Sequence, residues 1–366
     1  MVDRELVYQL ALQQTPLVGD IITKQLISYC GSAIAVFESS TAKLSKIPGI
    51  GQKTINALKS KKVVEQAEKI LVEAEKNNAE ILSYTSPNYP TNLKQSIDSP
   101  AILFYVGNAN LSNNKIVAIV GTRNATEYGK GVTDDIVAAL APHKPLIVSG
   151  LAYGIDIQAH KASIKNGIAN IAVMAGGLDR IYPSIHRKYI SDIVDNGGIV
   201  SEMSYGTTPE AHNFPARNRI IAGMADVVIV VEAAAKGGAL ITADIANSYD
   251  REVFAVPGSL NIKTSEGCNR LIARNEAHIF NDIRDLESLM NWDAKSKKVV
   301  KKFNFSSLSN EERAIAELLK ARDSELQIDE ISWRTQIPIN KLPALLINME
   351  FSNILKALPG NKYKLN

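Results

Sequence analysis

The sequence predicts a doubly wound α/β body, preceded by a small helical region and followed by a small helix-and-hairpin region. Two observations carry the central assignment. Between residues 115 and 281, short Val- and Ile-rich runs recur at 116–120, 146–149, 171–175, 198–201, 227–231 and 253–256. Each is almost wholly apolar, as a strand buried on both faces of a parallel sheet must be. Most then run into small residues before a helix-compatible stretch: Gly121-Thr122-Arg123, Gly150-Leu151-Ala152, Gly176-Gly177 and Pro257-Gly258. In such a sheet the ligand crevice lies outside the carboxyl ends of the strands.

Taken in order, residues 1–78 read as an all-α region, with helix-compatible patterns over 4–14, 19–30 and 62–76. Between the last two lies Ile47-Pro48-Gly49-Ile50-Gly51, a tight turn with two glycines before a Lys- and Ala-containing helix. Glycine amides at a helix start can hold a phosphate. The turn therefore resembles a helix-hairpin-helix contact to a DNA backbone, and a plain helix-helix connector stays open beside it. Residues 79–291 form the α/β body, with the apolar run 101–107 as a strand stitched onto it. Residues 292–305 contain Lys295, Lys297, Lys298, Lys301 and Lys302 without apolar period and read as a basic linker. In 306–366, Ser309-Asn310-Glu311-Glu312 caps a helix over 313–319, and further helices follow at 328–336 and 338–349. Runs 354–358 and 363–365 around Pro359-Gly360 make a hairpin. Three helices and a hairpin predict a winged helix. Its third helix is short of Arg and Gln, the side chains that read base edges, which favours protein contact over sequence-specific DNA reading.

Composition narrows the function. A 366-residue chain has room for two or three domains of roughly 100–200 residues. No apolar stretch reaches the ~20 residues that span a bilayer. The start, MVDRELVYQL, lacks a basic segment followed by an apolar one, so a cytoplasmic protein without membrane contact is expected. Cys30 and Cys268 lie far apart, which excludes a disulfide framework, and the 5 histidines show no metal spacing. No metal and no cofactor is expected. The net charge is only +3, and acids slightly outnumber bases over 81–290. Any nucleic-acid partner must therefore meet a local patch.

Candidate binding residues follow the strand ends. Gly121, Thr122 and Arg123 close the first strand, where an arginine can grip a phosphate bidentately or pair with a nearby carboxylate. Ser149 and Gly150 close the second, in a glycine-rich loop that departs from the dinucleotide fingerprint. Phe214-Pro215-Ala216-Arg217-Asn218-Arg219 places an aromatic before two arginines and an asparagine. A stacking ring beside cationic donors suits single-stranded nucleic acid; a core position for Phe214 is the alternative. Lys236, Gly237, Gly238 and Thr242 follow a buried strand and open a helix, a good anion context without the Gly-Lys-Ser/Thr ending of a P-loop. Asn269 sits at one more amide-rich helix start. Asp156 is a candidate helix cap, and His160 reads as structural.

With these motifs in order, the chain resembles the DNA-processing protein A family (DprA, also called Smf). The segments are 117–123, 147–160, 174–183, 198–202, 213–223, 231–244 and 256–272. The resemblance implies an extended Rossmann-like, mostly parallel sheet and a DNA-binding protein rather than an enzyme. It implies binding of single-stranded DNA, homodimerisation through the α/β body, and help in loading the RecA recombinase during natural transformation. Carried onto this chain, Arg123 would meet a phosphate, with Ser149 and Gly150 lining the same pocket. Phe214 would stack on a base, and Arg217, Asn218 and Arg219 would hold backbone and base edges. Lys236, Gly237, Gly238 and Thr242 would close the anion site. The stretch Pro209-Glu210-Ala211-His212 before Phe214 has no Lys or Arg, so charge must come from elsewhere. The competing expectation is a nucleotide phosphoribohydrolase with Glu232 or Glu202 as its carboxylate. A third is an adaptor with an inert core.

Overall fold

A computed structural model of the chain describes residues 3–292, 308–322, 325–352 and 354–365. Apart from Trp292, the expected linker lies outside the described residues. The central strands are β1 (Glu80–Ser83), β2 (Ile102–Gly107), β3 (Ile116–Val120), β4 (Leu146–Ser149), β5 (Asn170–Val173), β6 (Gly197–Ser201), β7 (Val227–Val230), β8 (Glu252–Ala255) and β9 (His278–Ile279). They form one 9-stranded sheet in the order β1-β2-β6-β5-β4-β3-β7-β8-β9. From β6 to β9 every neighbouring pair is parallel. Only β1 and β2 run against their neighbours.

All residues of β3 to β7 are buried, which is why these runs carry no polar alternation. Successive side chains point to opposite faces. Val117 and Ile119 therefore pack with Ile136, Val137 and Ile155 on one face. Ala118 and Val120 pack with Ile220, Ile221 and Ala243 on the other. Helices Glu127–Leu140 and Ile155–Lys165 cover the first face, and Asn213–Met224 and Gly238–Ser248 the second. The chain moves from β3 outward through β4 and β5 to β6, then returns to lay β7 on the other side of β3. That reversal opens a crevice at the carboxyl ends of β3, β4 and β7.

The N-terminal region holds helices Arg4–Gln13, Asp20–Cys30, Ala33–Glu38, Thr41–Leu44, Gln52–Leu58 and Lys61–Lys76. Ile47 and Ile50 of the glycine turn are buried, and the Pro48 carbonyl accepts a 2.9 Å bond from Gln25 Nε2. The turn is thus pinned into its own small core. Helices 4–13 and 61–76 share a different core, in which Leu10, Ala67 and Ala74 pack with Ile102, Phe104 and Ile199 of the sheet.

The C-terminal region folds helices Asn310–Arg322, Ile328–Thr335 and Leu342–Phe351 around a 3-stranded sheet of β10 (Leu326–Gln327), β12 (Lys362–Leu365) and β11 (Leu355–Leu358). This is a winged-helix-like arrangement with its own core of Ile315, Leu319, Leu346 and Leu355. The third helix starts at Leu342 rather than 338, with Pro343 in its first turn, where a missing N–H costs nothing. Trp292 is buried in the α/β core beside His143, whereas Trp333 of the small domain is 69% exposed.

Candidate nucleic-acid interface

A groove of about 740 Å³ occupies the crevice. Its first wall is the turn after β3. Thr122 N–H donates to the Glu232 carbonyl at 2.7 Å, and the Thr122 carbonyl accepts from Ile155 N–H at 3.2 Å. Gly154, at φ +76°, passes so close that a Cβ would lie 2.1 Å from that carbonyl. With its backbone held, the turn leaves Arg123 exposed. The guanidinium stands 5.4 Å from the centre of the Phe214 ring. Tyr182 also meets Phe214 edge-on, with ring centroids 5.5 Å apart. Phe214 is only half-buried, so its place is the mouth of the groove and not the core.

The floor is polar. Arg217 is 6% exposed and lines the groove. Its Nη1 donates to the Val173 carbonyl. Its guanidinium occupies the space that a side chain at Gly150 would fill, since a Cβ there would meet it at 2.5 Å. Burial lowers the Arg217 pKa to about 10, with Asp156 pulling it back up and Arg123 adding to the fall. The group therefore stays charged at neutral pH. Burial raises the pKa of Asp156, against the pull of Arg217. Asp156 accepts from Ala152 N–H at 3.3 Å; the helix cap itself is Gly154.

The third wall is the start of helix 238–248. Asn218 Nδ2 donates to the Gly238 carbonyl at 3.2 Å, and Thr242 Oγ1 donates to it at 3.0 Å. Lys236 and Gly237 are exposed at the rim. Gly121, Thr122, Arg123, Phe214, Arg217, Asn218, Lys236, Gly237, Gly238 and Thr242 thus line one groove.

Four expected site residues lie elsewhere. Ser149 is fully buried, and its hydroxyl donates to the Ile119 carbonyl at 2.6 Å. Gly150 lies behind Arg217. Arg219 pairs with Glu202 and, at 3.2 Å, with Asp20. Two residues apart on an α-helix are about 200° apart around its axis, so Arg217 and Arg219 cannot serve one pocket. Asn269 is spent on Gly258, donating to its carbonyl at 2.8 Å and accepting from its N–H at 3.1 Å. His160 is structural: fully buried, with Nδ1 2.7 Å from Asn170 Oδ1. Tyr182 and Asp156 line the groove without having been assigned a role there. No local spacing marks Tyr182, because its ring arrives from a segment between β5 and β6.

The carboxylates of the nucleotide-enzyme alternative are both occupied. Glu232 accepts from Thr126 N–H at 2.9 Å and from the hydroxyls of Thr126 and Thr264 at 2.6 and 3.3 Å. Glu202 is paired with Arg219. Among the described residues no cluster of His, Cys, Asp or Glu could hold a metal ion, and no helix is long and apolar enough to cross a membrane.

Sheet order and site define the class: a doubly wound α/β protein with a cationic, aromatic-lined crevice at its switch point. Residues 80–291 match the family described as DNA recombination-mediator protein A, and the chain belongs to that family. It is 36% identical over 293 residues to the protein Smf of Synechocystis sp., covering 79% of this chain and 74% of that relative. It is 33% identical over 300 residues to the Smf protein of Escherichia coli, covering 80% and 79%. The crystal structure of DNA processing protein A from Streptococcus pneumoniae superposes with a TM-score of 0.68 at 31% identity, over 78% of this chain and 98% of that one. The Helicobacter pylori DNA processing protein A, described by its single-stranded DNA binding mode, superposes with a TM-score of 0.53 at 33% identity. That match covers 59% of this chain and 96% of that one.

Proposed function

We propose that the groove holds single-stranded DNA and that the chain is a non-catalytic recombination mediator. In this reading it protects incoming strands and helps load the recombinase RecA during natural transformation and homologous recombination. It acts in the cytoplasm as a homodimer through the α/β body. The observation that carries the reading is Phe214, half-buried in the groove lining with the Arg123 guanidinium and the Tyr182 ring both beside it. A base stacked there contributes about 1–3 kcal/mol. Arg123, Arg217 and Lys236 supply positive charge along the adjoining backbone path. In a duplex the base faces are stacked on one another and cannot reach a ring inside a groove. The binding mode described for the Helicobacter relative supports the ligand, and the family's description supports the recombinational role.

The test is fluorescence anisotropy of a labelled single strand and its duplex at two salt concentrations, with wild type, Arg123→Ala and Phe214→Ala. Single-strand preference that both substitutions weaken is expected. Equal binding of both forms, untouched by the substitutions, would sink the groove as the site. For the loading role, the chain should speed RecA assembly on a strand already coated with a single-strand-binding protein. An unchanged rate counts against it.

A further inference from the structure

The N-terminal helices segregate their charge. Residues 1–78 carry 10 basic and 8 acidic side chains, yet residues 39–64 hold 6 of the lysines and no Asp or Glu. These are Lys43, Lys46, Lys53, Lys59, Lys61 and Lys62, and all are exposed. None is in an ion pair among the described residues. Lys59 ties the segment together, its Nζ donating to the Ser39 and Phe37 carbonyls at 2.6 and 3.2 Å. Between Lys46 and Lys53 the chain turns through exposed Pro48, Gly49 and Gly51, held from inside by Ile47 and Ile50. No protein atom lies within 4 Å of where a Cβ would start at Gly49 or Gly51. Gly49 needs glycine for its φ of +78°, whereas Gly51, at φ −88°, has ordinary backbone. The outer side of the turn is therefore bare backbone flanked by lysines, open to close approach.

The same segment has no aromatic residue, so nothing in it can stack on a base face. Its two side-chain amides are spent on each other, Gln52 Nε2 donating to Asn56 Oδ1 at 2.9 Å. Cations without a stacking ring or a free base-reading group recognise phosphates alone. Such contacts favour a duplex, whose bases stay paired and which carries one charge per about 1.7 Å of axis. Helix 52–58 is only about 10 Å long, so the lysines at its two ends fall within one duplex turn of about 34 Å. We propose that the 43–62 surface binds the backbone of duplex DNA without sequence preference, as a site separate from the groove. Phosphate-only binding is weak at physiological salt, about 10⁻⁴–10⁻⁶ M, so the groove's preference for single strands persists beside it. Phe37 packs into both the core under this surface and the core over the sheet. One chain then holds a duplex next to a single strand. The inference does not rest on the groove being the single-strand site.

The experiment titrates the full chain with a labelled duplex of mixed sequence and with a labelled oligothymidylate of about 15 nucleotides, over a range of salt. Wild type is compared with Lys46→Gln/Lys53→Gln/Lys62→Gln, with the same three positions changed to Arg, and with Arg123→Ala. All three lysines are exposed, so the thermal midpoints should match wild type. The glutamine variant should bind the duplex more weakly, with a log K against log salt slope flatter by about 2.7, three contacts at about 0.9 each. It should bind the oligothymidylate like wild type, and the arginine variant should keep duplex binding. Duplex binding that the glutamine variant retains, or that the arginine variant loses equally, would overturn the site. Equal loss on both ligands would make the lysines part of the single-strand path and overturn the assignment to duplex. If Arg123→Ala leaves the oligothymidylate untouched while the glutamine variant loses the duplex, the groove reading fails and this one stands.

Discussion

Arg123 and Arg217 sit in one groove and answer to different physics. Arg123 is exposed, so Arg123→Ala should leave stability within about 0.5 kcal/mol of wild type. Its cost should fall on single-strand affinity and on the salt slope, which loses about 0.7 for one phosphate. Arg217 is buried against Asp156 and the Val173 carbonyl. Removing one partner of such a buried set leaves the rest unpaired, so Arg217→Ala should cost about 3–5 kcal/mol in urea unfolding. Both arginines were legible as candidates, Arg123 from its place after a strand and Arg217 from the aromatic, arginine and asparagine cluster at 214–219. Their division was not, because it depends on the side chain that Gly150 lacks. His160 makes a pH prediction at the same scale. Burial lowers its pKa from 6.5 to about 4. The folded ring stays neutral while the unfolded chain takes up a proton, so stability is full above about pH 6.5 and is lost as the pH falls toward 4. The contribution is about 3 kcal/mol. Asp156 and Glu202, whose pKa values burial raises, act in the opposite sense. Urea unfolding from pH 7 to pH 4 should therefore be compared with His160→Gln, which should lack that part of the fall.

Helix 213–224 shows how much one element can hide. Its sequence Phe-Pro-Ala-Arg-Asn-Arg reads as a single cationic cluster. In the fold one face closes the groove with Arg217 and Asn218, while Arg219 turns to Glu202 and Asp20. Position along the chain was legible; the face was not, since it depends on what packs around the helix. The parallel strands β3 to β8 were legible within two residues because burial on both faces leaves little polar pattern to blur them, whereas the parallel edge strand β9, 2 exposed residues long, was not. The edge strand β1 was not, since Glu80 is exposed and Ile81 only half-buried. The turn before helix 155–165 carries its own test. Gly154 combines φ +76° with a Cβ that would overlap the Thr122 carbonyl. Gly154→Ala should cost more than the ~1–3 kcal/mol of left-handed strain alone. It should also displace Arg123, so the thermal midpoint and single-strand affinity should fall together. A loss of affinity at unchanged midpoint would mean that the loop rearranges freely.

Across the whole molecule, the expected boundary at residue 78 is not a boundary of packing. Helices 4–13 and 61–76 complete the core over β2 and β6, and Asp20 reaches Arg219 across the same junction. The winged-helix-like domain has a separate core. Its polar contacts with the rest include Lys362 Nζ to Asp226 Oδ1 at 3.4 Å and Lys356 to Asn291. The first is an ion pair largely out of water, 18% and 9% exposed, whose desolvation offsets much of its attraction, and the second is a hydrogen bond to a neutral amide. Scanning calorimetry should accordingly show two transitions, one for the N-terminal helices and sheet together and one for the small domain. Deleting residues 1–78 should broaden and lower the larger transition, because it strips one face of the sheet. Three well-resolved transitions would mean that the N-terminal helices fold independently. The small domain's three helices and hairpin were legible, but β10 was not, having only 2 residues.

The placement of the two tryptophans gives each folding body its own light source. Trp292, enclosed in the α/β core, should emit in the blue and shift to the red only when that core opens. Trp333, already in water on the small domain, should emit in the red from the start and lose anisotropy when its helix melts. Phenylalanine at one position silences one signal and leaves the other, so the behaviour of both bodies can be watched in the intact chain without attaching a dye.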